Sequence, residues 1–201
     1  MATPPSMLPV LPAVSVPLPA ASAPSFPPRP TPAEFGNTPR TAILGNSGSG
    51  KTSLTRALVR RRPFPTLDLD SVVWEPTRIA VRRPDQAIVA ELKTFTDHHP
   101  GWIIEGCYSD LIEALLPLTP ELIFLNPGRE TCLLQCRQRF QETPGFAARQ
   151  DQEQRLGFLL DWVAGYYTRS DSQSLAAHRR LFDAYPGPKR ELLVPVDLAP
   201  H

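Results

Sequence analysis

Apolar positions in this chain fall into short unbroken runs, and amphipathic stretches separate them. The run Thr41-Ala42-Ile43-Leu44 predicts a first strand, and residues 53–59 carry apolar positions at helical spacing. Arg60, Arg61 and Arg62 place positive charge where that helix ends, and Pro63 stops it. Residues 65–70 read as a short second strand ending in carboxylates, followed by Val72, Val73 and Trp74. A link rich in proline and arginine over 75–83 shows no period, and 84–98 predicts a helix with Ile88, Leu92 and Phe95 in register. Residues 102–106 form a third strand, apolar until the single acid Glu105, and 111–116 a short helical turn stopped by Pro117. The run over 121–127 suits a fourth strand buried on both faces. Helical patterns follow over 129–140, 151–167 and 171–185, with a polar loop over 141–150 containing Pro144-Gly145. Pro186-Gly187-Pro188 breaks the chain before a fifth strand at Leu192-Leu193-Val194. Strands alternating with helices imply right-handed crossovers and a parallel sheet covered on both faces. Ligands of such sheets sit beyond the carboxyl ends of the strands.

Composition changes this picture at one end. Twelve of the 25 prolines lie in residues 1–39, where Arg29 and Glu34 are the only charges. Such a segment supports neither helix interior nor sheet ladder, so it reads as a disordered, polyproline-like tail preceding a domain at 40–201. It has no basic start, and prolines interrupt every run long enough to span a membrane. The 21 basic and 20 acidic residues nearly cancel, which argues against a broad surface for nucleic acid or membrane. Three cysteines, Cys107, Cys132 and Cys136, are an odd and sparse set that fits a reducing cytoplasm and buried thiols. A monomer or small homo-oligomer is expected.

The chemistry concentrates at Gly45-Asn46-Ser47-Gly48-Ser49-Gly50-Lys51-Thr52, which fits the phosphate-loop pattern G-x-x-x-x-G-K-[ST] between a strand and a helix. Glycines allow backbone N–H groups to turn inward, and the helix starting near Gly50 points its positive end at the same place. Lys51 supplies a point charge for the outer phosphates, Ser53 follows at the helix start, and the Thr52 hydroxyl is the expected ligand of Mg²⁺. The loop predicts binding of a nucleoside triphosphate, taken as ATP. Asp68, Asp70, Glu105 and Asn126 fall at the other strand ends and converge on the same cleft.

These features together resemble the small P-loop kinases, among them adenylate kinase, shikimate kinase and the bacterial adenylate-kinase-like or topology-modulation proteins. The resemblance covers about residues 41–191. It rests on the loop, the acid-ended second strand, Trp102-Ile103-Ile104-Glu105-Gly106, Leu125-Asn126-Pro127, and Cys132 and Cys136 followed by Arg137 and Arg139. It implies a three-layer α/β P-loop NTPase fold: a five-stranded parallel sheet in the order 2-3-1-4-5, with helices on both faces. It further implies an acceptor region between strands 2 and 3 and a lid after strand 4. Leu67-Asp68-Leu69-Asp70 is similar to the Asp-x-Asp of shikimate kinase, whose first acid helps hold the metal and whose second meets the acceptor hydroxyl. Ile104-Glu105-Gly106 is similar to the Leu-Asp-Gly of adenylate kinase, whose acid orders Mg²⁺ through water. Arg137 and Arg139 match the lid entrance, where phosphate-clamping arginines occur.

Two departures limit the transfer. Gly106-Cys107-Tyr108-Ser109 stands where shikimate kinase has a glycine triplet, and no arginine stands where adenylate kinase has Phe-Pro-Arg. Neither named activity carries over. The expectation is an ATP-dependent transfer of the γ-phosphoryl group to a small-molecule acceptor, a nucleotide or a hydroxyl-bearing metabolite. The alternative is a regulatory switch that hydrolyses ATP slowly. Asp70 is either the acceptor's partner or base, or a cap on the segment that follows. Asp68 and Asp70 point to opposite faces of a regular strand. Arg137 and Arg139 are two apart and do not share a helix face, and Arg137 is the one favoured for phosphate. Arg78, Arg82 and Arg83 could meet an anionic group of the acceptor, and Tyr108 could line its pocket. Tyr166 and Tyr167 fit core packing, and His98 and His99 a helix C-terminus.

Overall fold

The computed structural model describes residues 38–76, 81–142 and 149–194. The proline-rich segment over 1–37, Arg78 and residues 143–148 of the predicted loop lie outside them. Five parallel strands, β1 (Arg40–Gly45), β2 (Thr66–Asp68), β3 (Trp102–Gly106), β4 (Glu121–Leu125) and β5 (Lys189–Leu192), form one sheet in the order β2-β3-β1-β4-β5. Helices α1 (Lys51–Arg61), α2 (Leu69–Val73), α3 (Asp85–His98), α4 (Ser109–Glu113), α5 (Arg129–Glu142), α6 (Arg149–Gly165) and α7 (Leu175–Ala184) connect the strands.

The central strands carry side chains to both faces with a period of two, and each face has its own apolar cluster. Ala42, Leu44, Trp102, Ile104, Leu122 and Phe124 pack on one side against α2, α3, α4 and α7. Ile43, Ile103, Ile123 and Leu125 pack on the other against Leu54 and Leu58 of α1. Every residue of β3 and β4 is buried, which explains their unbroken apolar runs. A third cluster joins Cys132 and Cys136 of α5 to Val163 of α6. All three cysteines are free and buried.

Two boundaries differ from the sequence reading. The second strand stops at Asp68, because the Asp68 carboxylate accepts the backbone N–H of Asp70 at 3.0 Å and starts α2. The fifth strand lies at 189–192, not at 192–194. Its position is set by the ladder with β4, and as an edge strand it tolerates the exposed Lys189 and Arg190.

His178, fully buried on α7, was not marked by any pattern in the sequence. Its Nε2–H donates to the Cys107 carbonyl at 2.8 Å at the end of β3, and its Nδ1 accepts the Tyr166 hydroxyl at 2.9 Å. A neutral ring satisfies both partners, and burial lowers the imidazole to about 4 from an ordinary 6.5. The unfolded chain therefore binds this proton first as pH falls. The stability His178 contributes is complete above pH 6.5 and is lost as the pH falls from 6.5 towards 4. Thermal unfolding followed across that window should lose about 2–4 kcal/mol more in the wild type than in His178→Gln. Equal pH slopes for the two proteins would contradict this role.

Candidate active site

The loop between β1 and α1 is shaped by two glycines in the left-handed region, Gly48 at φ 74° and Gly50 at φ 98°. A Cβ on Gly48 would lie 2.3 Å from the Cys132 carbonyl oxygen, so α5 packs directly on the loop. Asn46 anchors the loop from behind. Its Nδ2 donates to the Val163 carbonyl at 3.0 Å, and its Oδ1 accepts the Ser47 N–H at 2.8 Å. Lys51 Nζ donates to the Asn46 carbonyl at 3.0 Å. Helix α1 has no side-chain cap and no acid in its first turn. Its leading N–H groups and positive end are thus left for an anion.

The cleft above the loop has a volume of about 480 Å³ and is lined mostly by polar groups. Ser47, Gly48, Gly50, Lys51, Thr52 and Ser53 form its floor, and Asp68, Asp70 and Glu105 one wall. Arg56 of α1 and Gln135, Gln138 and Arg139 of α5 line the rest. Gly45, Asn46 and Ser49, which the motif also includes, support the loop and do not line the cleft.

Sheet register brings the acids together. Asp68 pairs across from Glu105, and Thr52 Oγ1 donates to Glu105 Oε2 at 3.2 Å. Glu105 is buried, and burial raises its carboxyl above the ordinary range, while Lys51 pulls it down and Asp68 pushes it up. Asp68 faces solvent on one side, yet partial burial raises its carboxyl too, with the Asp70 N–H bond opposing and the Asp70 charge reinforcing the rise. Carboxylates crowded in this way gain from a nearby cation. Thr52, Asp68 and Glu105 offer only oxygen donors, which suits Mg²⁺. Among the described residues no group of three or more His, Cys, Asp or Glu is arranged to hold a metal alone.

Asp70 lies in the first turn of α2, not on the strand, and this bend brings it into the same cleft as Asp68. The capping role falls to Asp68, and Asp70 Oδ1 accepts the Tyr108 hydroxyl at 2.5 Å. On α5 the structure brings Arg139, not Arg137, to the cleft. The reason is helical phase. Cys132 and Cys136 face the loop, and Gln135 and Arg139 each follow one of them by three residues. Arg137 is one residue past Cys136, about 100° around the helix.

Other sequence candidates lie elsewhere. Arg82 pairs with Asp85 at 3.0 Å, and Arg83 donates to the Val72 carbonyl and to Glu91. Asn126 donates to Glu191, which also pairs with Arg179. His98 and His99 bond carbonyls of the last turn of α3, and Tyr166 is buried against His178. Sequence reasoning passed over Arg56, Gln135 and Gln138. The available signal for Arg56 was its i+4 spacing from Thr52, which places it on the loop-facing side of α1.

A phosphate loop between β1 and α1 of a parallel sheet ordered β2-β3-β1-β4-β5 decides the architecture. This is the three-layer P-loop NTPase fold. No family model and no curated protein matches the sequence. Among solved structures, the chain is similar to deoxyadenosine kinase from M. mycoides with bound dCTP, at 12% identity and a TM-score of 0.43 over 79% of this chain and 92% of that one. It is similar to shikimate kinase from Acinetobacter baumannii in complex with shikimate, at 17% identity and a TM-score of 0.37 over 75% and 94%. In a structure of the Pnkp1/Rnl/Hen1 RNA repair complex it spans 47% of the matched chain, with 66% of its own length, 16% identity and a TM-score of 0.44. Lys51 and Thr52 both line the cleft at the start of α1.

Proposed function

We propose that the protein transfers the γ-phosphoryl group of ATP to a hydroxyl of a small molecule, a nucleotide or another hydroxyl-bearing metabolite. One observation carries this reading: Asp70, with one carboxylate oxygen engaged by Tyr108, lines the same cleft as the phosphate loop. An acid separate from the proposed metal donors can take the proton of a hydroxyl that attacks the γ-phosphorus.

In this reading the loop N–H groups, Lys51 and Ser53 hold the phosphates, and Arg139 meets charge that develops on the transferred group. Thr52, Asp68 and Glu105 would hold Mg²⁺, which when bound neutralises phosphate charge. Asp70 orients the acceptor hydroxyl and takes its proton. The acceptor oxygen forms a bond to the γ-phosphorus as the bond to the β,γ-bridging oxygen breaks, leaving ADP. Arg56, which lines the cleft and forms no ion pair among the described residues, is free to meet an anionic group on the acceptor. The protein is read as working in the reducing cytoplasm, as a monomer or small homo-oligomer, without nucleic acid or membrane. Its three cysteines are free and buried, which fits a reducing compartment.

ADP release from Mg·ATP, measured across a panel of nucleosides, nucleotides, sugars and hydroxy acids, tests the reading. At least one compound should raise the rate well above that with water alone. A rate that no acceptor alters would favour the regulatory switch.

A further inference from the structure

The departure from known motifs at Gly106-Cys107-Tyr108-Ser109 places behind the cleft a residue that does not line it but bonds Asp70, which does. Tyr108 is 1% exposed and occupies the N-cap position of α4, so its backbone is fixed by the end of β3 and by its own carbonyl, which accepts the Ile112 N–H at 3.0 Å. The next residue, Ser109, donates its N–H to the Ser172 carbonyl at 3.0 Å. The ring faces the Arg82 guanidinium at 6.0 Å, and Arg82 is held in turn by Asp85. A buried phenol must place its O–H somewhere. Here it donates to Asp70 Oδ1 at 2.5 Å.

Asp70 has little else to orient it. It is exposed and lies on a helix of only five residues, whose cap is made by Asp68. Two oxygens on a free carboxylate would share the work of meeting an acceptor and sample several rotamers. The Tyr108 hydroxyl removes that freedom by binding one oxygen from a rigid strand end. We propose that Tyr108 is a positioning residue for Asp70, fixing which carboxylate oxygen receives the acceptor proton. The inference rests on the phosphotransferase reading, and it assigns Tyr108 an action through Asp70, not on substrate.

The test uses the full chain and Mg·ATP with water as the acceptor, reading phosphate release, so the natural acceptor need not be known. The water oxygen bonds to the γ-phosphorus, the bond to ADP breaks, and the water proton passes to Asp70. Tyr108→Phe keeps the ring and removes only the donor. Its turnover should fall on the order of 10-fold to 10²-fold, as misplaced groups do. The KM for Mg·ATP and the thermal midpoint should stay near those of the wild type. In an Asp70→Asn background the same change should have no further effect on turnover, because the two residues act as one unit. Wild-type turnover in Tyr108→Phe overturns the proposal. So does a loss that persists undiminished in the Asp70→Asn background, or one accompanied by a raised KM and a lower midpoint. If Asp70→Asn itself turns over like wild type, the reading of Asp70 falls first and the role of Tyr108 with it.

Discussion

Lys51→Ala should abolish measurable Mg·ATP binding while leaving the fold intact. Lys51 stands at the first position of α1, and its ammonium contacts the loop only through the Asn46 carbonyl at 3.0 Å. It belongs to no apolar cluster, and alanine is the better helix former. What the variant loses lies in the complex. Charge-assisted hydrogen bonds contribute roughly 1.5–3 kcal/mol each. Two such bonds to the outer phosphates amount to an affinity loss of about 10²-fold to 10⁴-fold. Calorimetric titration with Mg·ATP, paired with a thermal melt, separates the effects. Unchanged affinity would remove the phosphate-binding role of the loop, whereas a lowered midpoint would place Lys51 in the folding energetics.

The second large effect belongs to Asp70, read against Glu105. Asp70→Asn keeps the Tyr108 partner in place yet removes the proton acceptor, so turnover with an identified acceptor should fall about 10²-fold to 10⁴-fold. Mg·ATP should bind as before. Glu105→Gln should behave differently. Glu105 contacts Thr52 at the base of the cleft, not the acceptor side, and its loss removes a negative charge from the metal's surroundings. Half-maximal activity should then require more Mg²⁺, with acceptor KM little changed. Titrations of Mg²⁺ and acceptor on both variants distinguish the two acids. If both variants match the wild type in metal dependence and turnover, the acid wall has no part in the reaction and only the phosphate loop survives.

Much of this was legible in residue order, for a physical reason. Buried parallel strands must be apolar on both faces, so β3 and β4 stand out as runs, and the glycines and Lys51 of the loop have few other uses. The junction of β2 and α2 was less legible. Leu67-Asp68-Leu69-Asp70 alternates like a strand, and only the bond from the Asp70 N–H to the Asp68 side chain turns it into a helix start. That one bond decides where Asp70 points. The choice between Arg137 and Arg139 depended on the phase of α5, which Gly48 fixes by packing on Cys132 and Cys136. Pattern alone assigns no face to a helix with so little apolar asymmetry. His178 was silent because its partners, the Cys107 carbonyl and Tyr166, come from β3 and the end of α6.

The destination of the γ-phosphoryl group tests the phosphotransferase reading most directly. With a compound that stimulates ADP release, phosphorus NMR of the completed reaction should show a phosphate ester of that compound, formed in equal amount to ADP. Lys51→Ala should form none. Accumulation of inorganic phosphate alone, at a rate no compound changes, would contradict the account and leave a nucleotide switch built on the same loop.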